Sequence, residues 1–135
     1  MDIRSIRWGE ALSVRHQVLW PDKAPLFCKV EGDETANHFG VYVDSKLVSV
    51  ASVYIDGNTA RLRKFATLAE YQGKGIGSGL IAYILQWLES VAIEIFWCDA
   101  RKTAVGFYKR FGMRSDGDEF TKSGIQYYRM ELNLV

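Results

Sequence analysis

The sequence predicts an α/β protein in the broad sense, α+β by topology, and three observations carry that prediction. Between His38 and Thr67, three β-rich runs, HFGVYVD, KLVSVASVYID and TARLRKFAT, are separated by the short polar turns Asp44-Ser45 and Asp56-Gly57-Asn58. That pattern is the signature of an antiparallel meander. Leu80, Ile81, Ile84, Leu85 and Leu88 then fall at i, i+1, i+4, i+5 and i+8, the stripe of an amphipathic helix. Beyond it a β-rich run, a second helical pattern and two further β-rich runs complete the chain.

Taken in order, Ile3-Arg4-Ser5-Ile6-Arg7-Trp8 reads as an opening strand. Glu10 to Leu19 reads as a helix carrying Leu12, Val18 and Leu19, and it should stop before Pro21, because the residue before a proline is pushed out of the helical region. Pro21 to Asp33 holds both prolines, a glycine and several charges, so a loop or a short helix is expected there. The three meander strands follow, then the glycine-rich YQGKGIGSG, Tyr71 to Gly79, and the helix Leu80 to Val91. A short strand, Glu94 to Cys98, leads to a helix from about Lys102 to Phe111 that ends at Gly112. Strands near Met113 to Phe120 and Ile125 to Leu132 would finish the sheet. No repeat, low-complexity tract or Pro/Ser-rich linker interrupts residues 1–135, which read as a single domain.

Composition narrows the function classes. Hydrophobic residues make up 48%, with four Trp, seven Tyr and seven Phe, which a disordered chain would not carry. Seventeen basic residues against sixteen acidic leave a net charge of +1. Nucleic acid and anionic membranes both want a basic surplus, so neither is expected as a partner. The N-terminus lacks an apolar signal core, and no window approaches a membrane span. Cys28 and Cys98 match no zinc or CxxC spacing, and His16 and His38 are few and scattered, so no metal is expected. The expectation is a cytoplasmic protein with free thiols.

The glycine segment then asks for a reason, since glycine weakens a helix by roughly 1 kcal/mol relative to alanine. The Walker pattern GxxxxGK followed by Ser or Thr is not met. The dinucleotide pattern GxGxxG also fails, because Gly73-x-Gly75 is followed by Ser78 and Gly75-x-Gly77 by Leu80. A third pattern, Q/R-x-x-G-x-G/A between a strand and a helix, is met at each fixed position by Gln72-Gly73-Lys74-Gly75-Ile76-Gly77. First-turn amides of a helix lack an intrahelical partner and sit at its positive end. Glycines there remove the Cβ atoms that would hold a diphosphate away.

A second signature lies in Ala100-Arg101-Lys102-Thr103-Ala104-Val105-Gly106-Phe107-Tyr108-Lys109-Arg110-Phe111-Gly112-Met113. Together, in this order and separated by one helix and one strand, the two segments resemble those of the Gcn5-related N-acetyltransferase (GNAT) superfamily. The resemblance runs from the His38 strand to the end and is nearest to the small bacterial single-domain branch. It implies a mixed, mostly antiparallel central sheet of about six to seven strands, splayed between the fourth and fifth, with helices on both faces. It also implies acetyl-CoA as cosubstrate, no metal, and direct transfer of an acetyl group to an amine, either a small molecule or a peptide. A homodimer is compatible with it.

Residue by residue, the resemblance gives the backbone amides of Gly73, Lys74, Gly75, Ile76, Gly77 and Ser78 to the diphosphate, with Gln72 opening the motif. Ala66 and Thr67 would pair with the pantetheine arm, and Lys74 with Arg63 or Lys64 would add positive charge. Tyr108 corresponds to the tyrosine that faces the thioester sulfur. A phenol near pKa 10 stays protonated at neutral pH and can serve a departing thiolate. Phe107 and Phe111 are expected in the core, leaving Tyr108 to face the cleft. Arg101 stands where many members have Asn, so its position is kept as cofactor-binding without that contact. Tyr127 stands where a histidine is expected. Glu31, Asp33, Glu34 and His38 are candidates for the group that takes the amine's proton. Three competing readings remain: transfer through an acyl-cysteine at Cys98, a non-catalytic acyl-CoA-binding regulatory domain, and a nucleotide-binding module.

Overall fold

The computed structural model describes residues Met1–Val135. In chain order the elements are β1 (Asp2–Ile6), α1 (Trp8–Leu19), a 3-10 turn at Pro25–Cys28, β2 (Asn37–Val43), β3 (Lys46–Asp56), β4 (Thr59–Thr67), a 3-10 turn at Ala69–Tyr71, α2 (Ile76–Ser90), β5 (Ile95–Arg101), a 3-10 turn at Lys102–Ala104, α3 (Val105–Lys109), β6 (Arg114–Ser115), β7 (Phe120–Lys122) and β8 (Ile125–Asn133). This is a mixed α/β fold with mostly antiparallel strand pairing. Two compact units divide it: Met1–Tyr54 with Leu62–Trp87, and Ile55–Arg61 with Leu88–Val135.

In the first unit β1, β2 and β3 pair antiparallel in sequence order, from Asp2↔Tyr42 to Ile6↔His38 and from Asn37↔Val53 to Val43↔Lys46. The β2–β3 turn is two residues long, with Asp44 at φ 49° and Ser45 at φ 66°, the left-handed pair that a type I′ hairpin needs. Side chains alternate faces along a strand. Arg15 of α1 meets Ser52 and Tyr54, while Tyr83 and Trp87 of α2 meet Phe39, which pairs with Ala51. The two helices therefore cover opposite faces of this unit. That explains why Val48–Val53 is buried without alternation: a strand covered on both sides reads as a continuous run. Leu80, Ile81, Ile84 and Leu88 of the α2 stripe are fully buried and Leu85 is half-buried, each fully buried chain contributing about 1.5–3 kcal/mol of transfer free energy.

In the second unit Thr59–Arg61 of β4 pair parallel with Ile95–Trp97, and β5 runs antiparallel to β8 from Ile95↔Asn133 to Arg101↔Tyr127. β6 and β7 both pair antiparallel with β8. Phe96, Cys98, Ala100, Met113 and Met130 form the buried side. The turn Ser123-Gly124, with φ 52° and 76°, closes the β7–β8 hairpin in the same I′ manner.

Several boundaries differ from the sequence reading: β1 ends at Ile6, and Trp8, expected at the end of that strand, opens α1, which was expected from Glu10. α2 starts at Ile76, so Gly77, Ser78 and Gly79 lie in its first turn. β5 extends to Arg101. The single helix expected over Lys102–Phe111 is a 3-10 turn followed by the five-residue α3. The strand expected over Met113–Phe120 is split into β6 and β7 by a turn at Gly117, φ 83°, raising the strand number to eight. No helix is long and apolar enough to cross a membrane, both cysteines are free and buried, and no group of three or more His, Cys, Asp or Glu gathers as a metal site would need.

Candidate active site

The glycine segment is fastened to the end of β4 within the first unit. Ser49 Oγ donates to the Ala66 carbonyl at 3.2 Å and shares a 2.8 Å hydrogen bond with Thr67 Oγ1. The Leu68 amide donates to the Val48 carbonyl at 2.8 Å. Gln72 Nε2 donates to the Thr67 carbonyl at 2.8 Å, so this side chain ties the loop to the strand. Lys64, inside β4, has φ 53°, a left-handed conformation that an L-residue adopts at some cost.

The Gly75 carbonyl accepts the Gly79 amide at 3.0 Å, the first i→i−4 bond of α2. The amides of Ile76, Gly77 and Ser78 therefore come before the helical ladder, at the end carrying roughly half a positive charge. Gly73 and Gly75 have φ 72° and 79°, and a Cβ on either would meet nothing within 4 Å. Those two glycines answer to backbone conformation and leave an open approach to the amides. Gly77 has a different reason: its Cβ would lie 2.9 Å from Phe65 Cζ and 3.7 Å from Thr67 Oγ1. It lets α2 sit close on β4. A Cβ on Gly79 would instead meet the flexible Met1 side chain, at 2.8 Å from its Sδ. Lys74 Nζ and Lys46 Nζ stand 5.7 Å and 5.8 Å from the Tyr71 ring, two ammonium groups on one aromatic. Arg63 is directed to the Tyr54 ring, 5.8 Å away.

In the second unit α3 buries one residue, Tyr108. Phe107 and Phe111 are half-buried and pack edge-on, Phe107 lying 5.1 Å from the Tyr108 ring and 5.3 Å from Phe111. The expected order of burial is thus reversed, because so short a helix presents a single side chain to β5. The Tyr108 carbonyl accepts the amides of Phe111 at 3.0 Å and Met113 at 3.4 Å, fixing the turn that follows. Tyr108 and Cys98 are both buried in this unit. Burial, then the neighbouring Cys98, pushes the Tyr108 phenol well above its ordinary value. Burial, then the Asp99 charge, pushes the Cys98 thiol up to about 12 against the opposing effects of Arg61 and the phenol. Arg101 is exposed at the end of β5 opposite Tyr127, and Tyr127 stacks on Phe120 at 5.8 Å.

The candidate proton acceptors resolve differently. Asp33 is buried in a cluster that the sequence reading missed. Arg15 donates to both of its oxygens, at 2.8 and 3.1 Å. The Tyr54 hydroxyl donates at 2.5 Å and the Val30 amide at 2.7 Å. Burial alone would raise the carboxyl, but these hydrogen bonds outweigh it and hold Asp33 down at about 2. Arg15 also donates to the Cys28 carbonyl at 3.0 Å and to Ser52 Oγ at 2.8 Å. His38 Nε2 donates to the Asp33 carbonyl at 2.8 Å, and Nδ1 lies 2.7 Å from Ser52 Oγ. Asp33 and His38 are therefore committed to structure. Glu34 pairs with Lys29 at 2.6 Å, and Glu31 is exposed. No local motif announces the Arg15–Asp33 pair, whose members are 18 residues apart.

With this geometry described, comparison with known proteins is informative. The sequence model described as "Acetyltransferase (GNAT) domain" matches residues 24–134. The chain is 30% identical over 134 residues to "Uncharacterized N-acetyltransferase YitI" of Bacillus subtilis (strain 168), covering 93% of this chain and 90% of that protein. Among solved structures, the ribosomal-protein-S18-alanine N-acetyltransferase from Escherichia coli superposes with a TM-score of 0.82 at 16% identity, over 98% of this chain and 93% of that one. The PaiA N-acetyltransferase from Thermoplasma acidophilum, in complex with coenzyme A, superposes with a TM-score of 0.74 at 16% identity, over 98% of both chains.

Proposed function

This chain belongs to the GNAT acetyltransferase family, whose activity is acyl transfer from CoA, and we propose that it is an N-acetyltransferase passing an acetyl group from acetyl-CoA directly to an amine. Residues 1–135 act in this reading as one domain. The observation that carries it is the start of α2. Gly73 and Gly75 hold positive φ with open space above them, and the amides of Ile76, Gly77 and Ser78 precede the helical ladder. Such a terminus suits a diphosphate. Gln72 holds this loop on Thr67, Lys74 adds charge, and Ala66 and Thr67 offer a strand end to the pantetheine arm. Arg101, exposed at the end of β5, is a further cofactor-binding position, within the reading, for a phosphate or the pantetheine amide.

In the transfer itself the amine nitrogen forms a bond to the acyl carbon, the carbon–sulfur bond breaks, and its electron pair stays on sulfur. Tyr108 donates a hydrogen bond to that sulfur. Its raised pKa makes complete proton transfer to a thiolate unfavourable, so a hydrogen-bond donor replaces the proton donor of the sequence reading. The amine's proton leaves to water or an exposed carboxylate, since Asp33 and His38 are engaged. A thiol held at about 12 is a poor nucleophile at neutral pH, which favours direct transfer over an acyl-Cys98. The acceptor is a small-molecule or peptide amine, and a cytoplasmic setting, where thiols stay reduced, suits the free Cys28 and Cys98.

The test is to follow thiol release from acetyl-CoA across a panel of amines with the wild type and Tyr108→Phe. Amine-dependent release supports the reading. Tight acetyl-CoA binding without turnover on any amine would replace it with the acyl-CoA-binding regulatory domain.

A further inference from the structure

β3 carries two fully buried serines, Ser49 and Ser52, on opposite faces of the strand. Ser52 faces α1 and bonds to Arg15 and His38. Ser49 belongs to the row of Ala51, whose pairing partner Phe39 meets Tyr83 and Trp87 of α2, so it faces α2. Ala51 and Val53 of that row and Leu80, Ile81 and Ile84 of α2 are apolar and fully buried. A hydroxyl set in such a layer costs desolvation unless it is bonded. Both bonds of the Ser49 hydroxyl go to the end of β4, at 3.2 Å to the Ala66 carbonyl and 2.8 Å to Thr67 Oγ1. Thr67 in turn meets the glycine segment twice. Its carbonyl accepts from Gln72 Nε2 at 2.8 Å, and its Oγ1 would lie 3.7 Å from a Cβ on Gly77. Through this one residue Ser49 reaches both the loop and the first turn of α2.

We propose that Ser49 is a positioning residue for the cofactor: its hydroxyl holds Ala66 and Thr67 in the place from which the glycine segment and the free amides of α2 receive the acetyl-CoA diphosphate. The inference rests on the acetyltransferase reading above. Its physical basis is preorganisation. Backbone pairing ties this strand end to β3 at Leu68, whose amide donates to the Val48 carbonyl, but that bond does not fix the Thr67 side chain. Ser49 supplies the missing constraint from inside the helix–sheet layer. A Thr67 side chain free to turn no longer keeps its place beside Gly77. A loop left to be ordered when the cofactor arrives then subtracts that ordering from affinity. In this role Ser49 touches no part of the cofactor and takes no part in the transfer.

The test measures acetyl-CoA affinity by calorimetric titration, together with urea midpoints, for the wild type, Ser49→Ala and Ser52→Ala. Both variants remove one fully buried hydroxyl from the same strand, so a purely structural role would make them alike. Ser49→Ala should raise the Kd for acetyl-CoA by about three- to tenfold, the worth of one ordinary hydrogen bond. Its kcat at saturating acetyl-CoA should stay within about twofold of the wild type. Ser52→Ala should lower the urea midpoint and leave the Kd within about twofold of the wild-type value. Unaltered affinity in Ser49→Ala, or an equal loss in Ser52→Ala, would overturn the proposal. A double-mutant cycle with Thr67→Val locates the effect. If Ser49 acts through Thr67, the double variant should bind within about twofold of the weaker single variant. Losses that multiply in full would show that the two residues act independently, and would sink the proposal. The wild type keeps the two readings apart. Acetyl-CoA binding that is the same in the wild type and Ser49→Ala defeats the proposal alone, whereas no binding by the wild type defeats the acetyltransferase reading and this proposal with it.

Discussion

At Tyr108 the local pattern Phe107-Tyr108…Phe111 gave the residue type, while its burial against Cys98 came from tertiary packing. Removing the hydroxyl deletes one hydrogen bond to a developing charge, worth about 1.5–3 kcal/mol. Tyr108→Phe should therefore lower kcat by about ten- to hundredfold, read by thiol release at saturating acetyl-CoA. A loss below twofold would remove Tyr108 from the chemistry. Asp33 makes a prediction about stability. Its carboxyl is held at about 2 against an ordinary 3.8. A depressed folded-state pKa contributes stability above the unfolded value, and that contribution fades as pH falls from about 4 toward 2, in total roughly 2 kcal/mol. Urea midpoints across that window should fall more steeply for the wild type than for Asp33→Asn, which lacks the titrating group. Parallel curves would contradict the assignment. Arg15→Ala leaves the buried carboxylate unpaired and should destabilise the fold by about 3–5 kcal/mol at neutral pH, measured by the same unfolding experiment.

Among the elements, the loop from Leu68 to Gly75 and the first turn of α2 carry separate demands that the sequence presents as one glycine run. At Gly75, φ 79° and empty surroundings mean that a side chain is opposed by backbone strain of about 1–2 kcal/mol and stands over the free amides. Gly75→Val should weaken acetyl-CoA binding by about tenfold or more, 1.4 kcal/mol, with the folded far-UV spectrum retained. Calorimetric titration giving unchanged affinity would contradict the diphosphate site. Gly77→Ala acts on packing, because the new methyl would lie 2.9 Å from Phe65 Cζ, an overpacking that typically costs about 1–3 kcal/mol. The sequence showed that glycines were needed here but not which glycine served which end. Positive φ and a close neighbour both select glycine and leave the same letter.

For the whole molecule, the meander and the α2 stripe were legible because their causes are local. Asp44-Ser45 is a two-residue hairpin turn with both residues at positive φ, and Leu80, Ile81, Ile84 and Leu88 sit on one buried helix face. The family followed from two motifs in order, and the matched region, residues 24–134, spans both. The Arg15, Asp33, Ser52, Tyr54 and His38 cluster was not legible, since its members come from α1, a loop, β2 and β3 and share no spacing. The same lack of local signal made Asp33 and His38 look available as bases. Direct transfer also has a kinetic consequence at this scale: initial rates at varied acetyl-CoA and amine should give intersecting double-reciprocal lines, whereas parallel lines would indicate an acyl-enzyme. The most direct test of the account is amine-dependent thiol release from acetyl-CoA, measured side by side for the wild type and Gly75→Val. The account predicts release that depends on an amine and is lost with the weakened affinity of the variant. Acetyl-CoA binding with no amine-dependent release on any acceptor of the panel would contradict it.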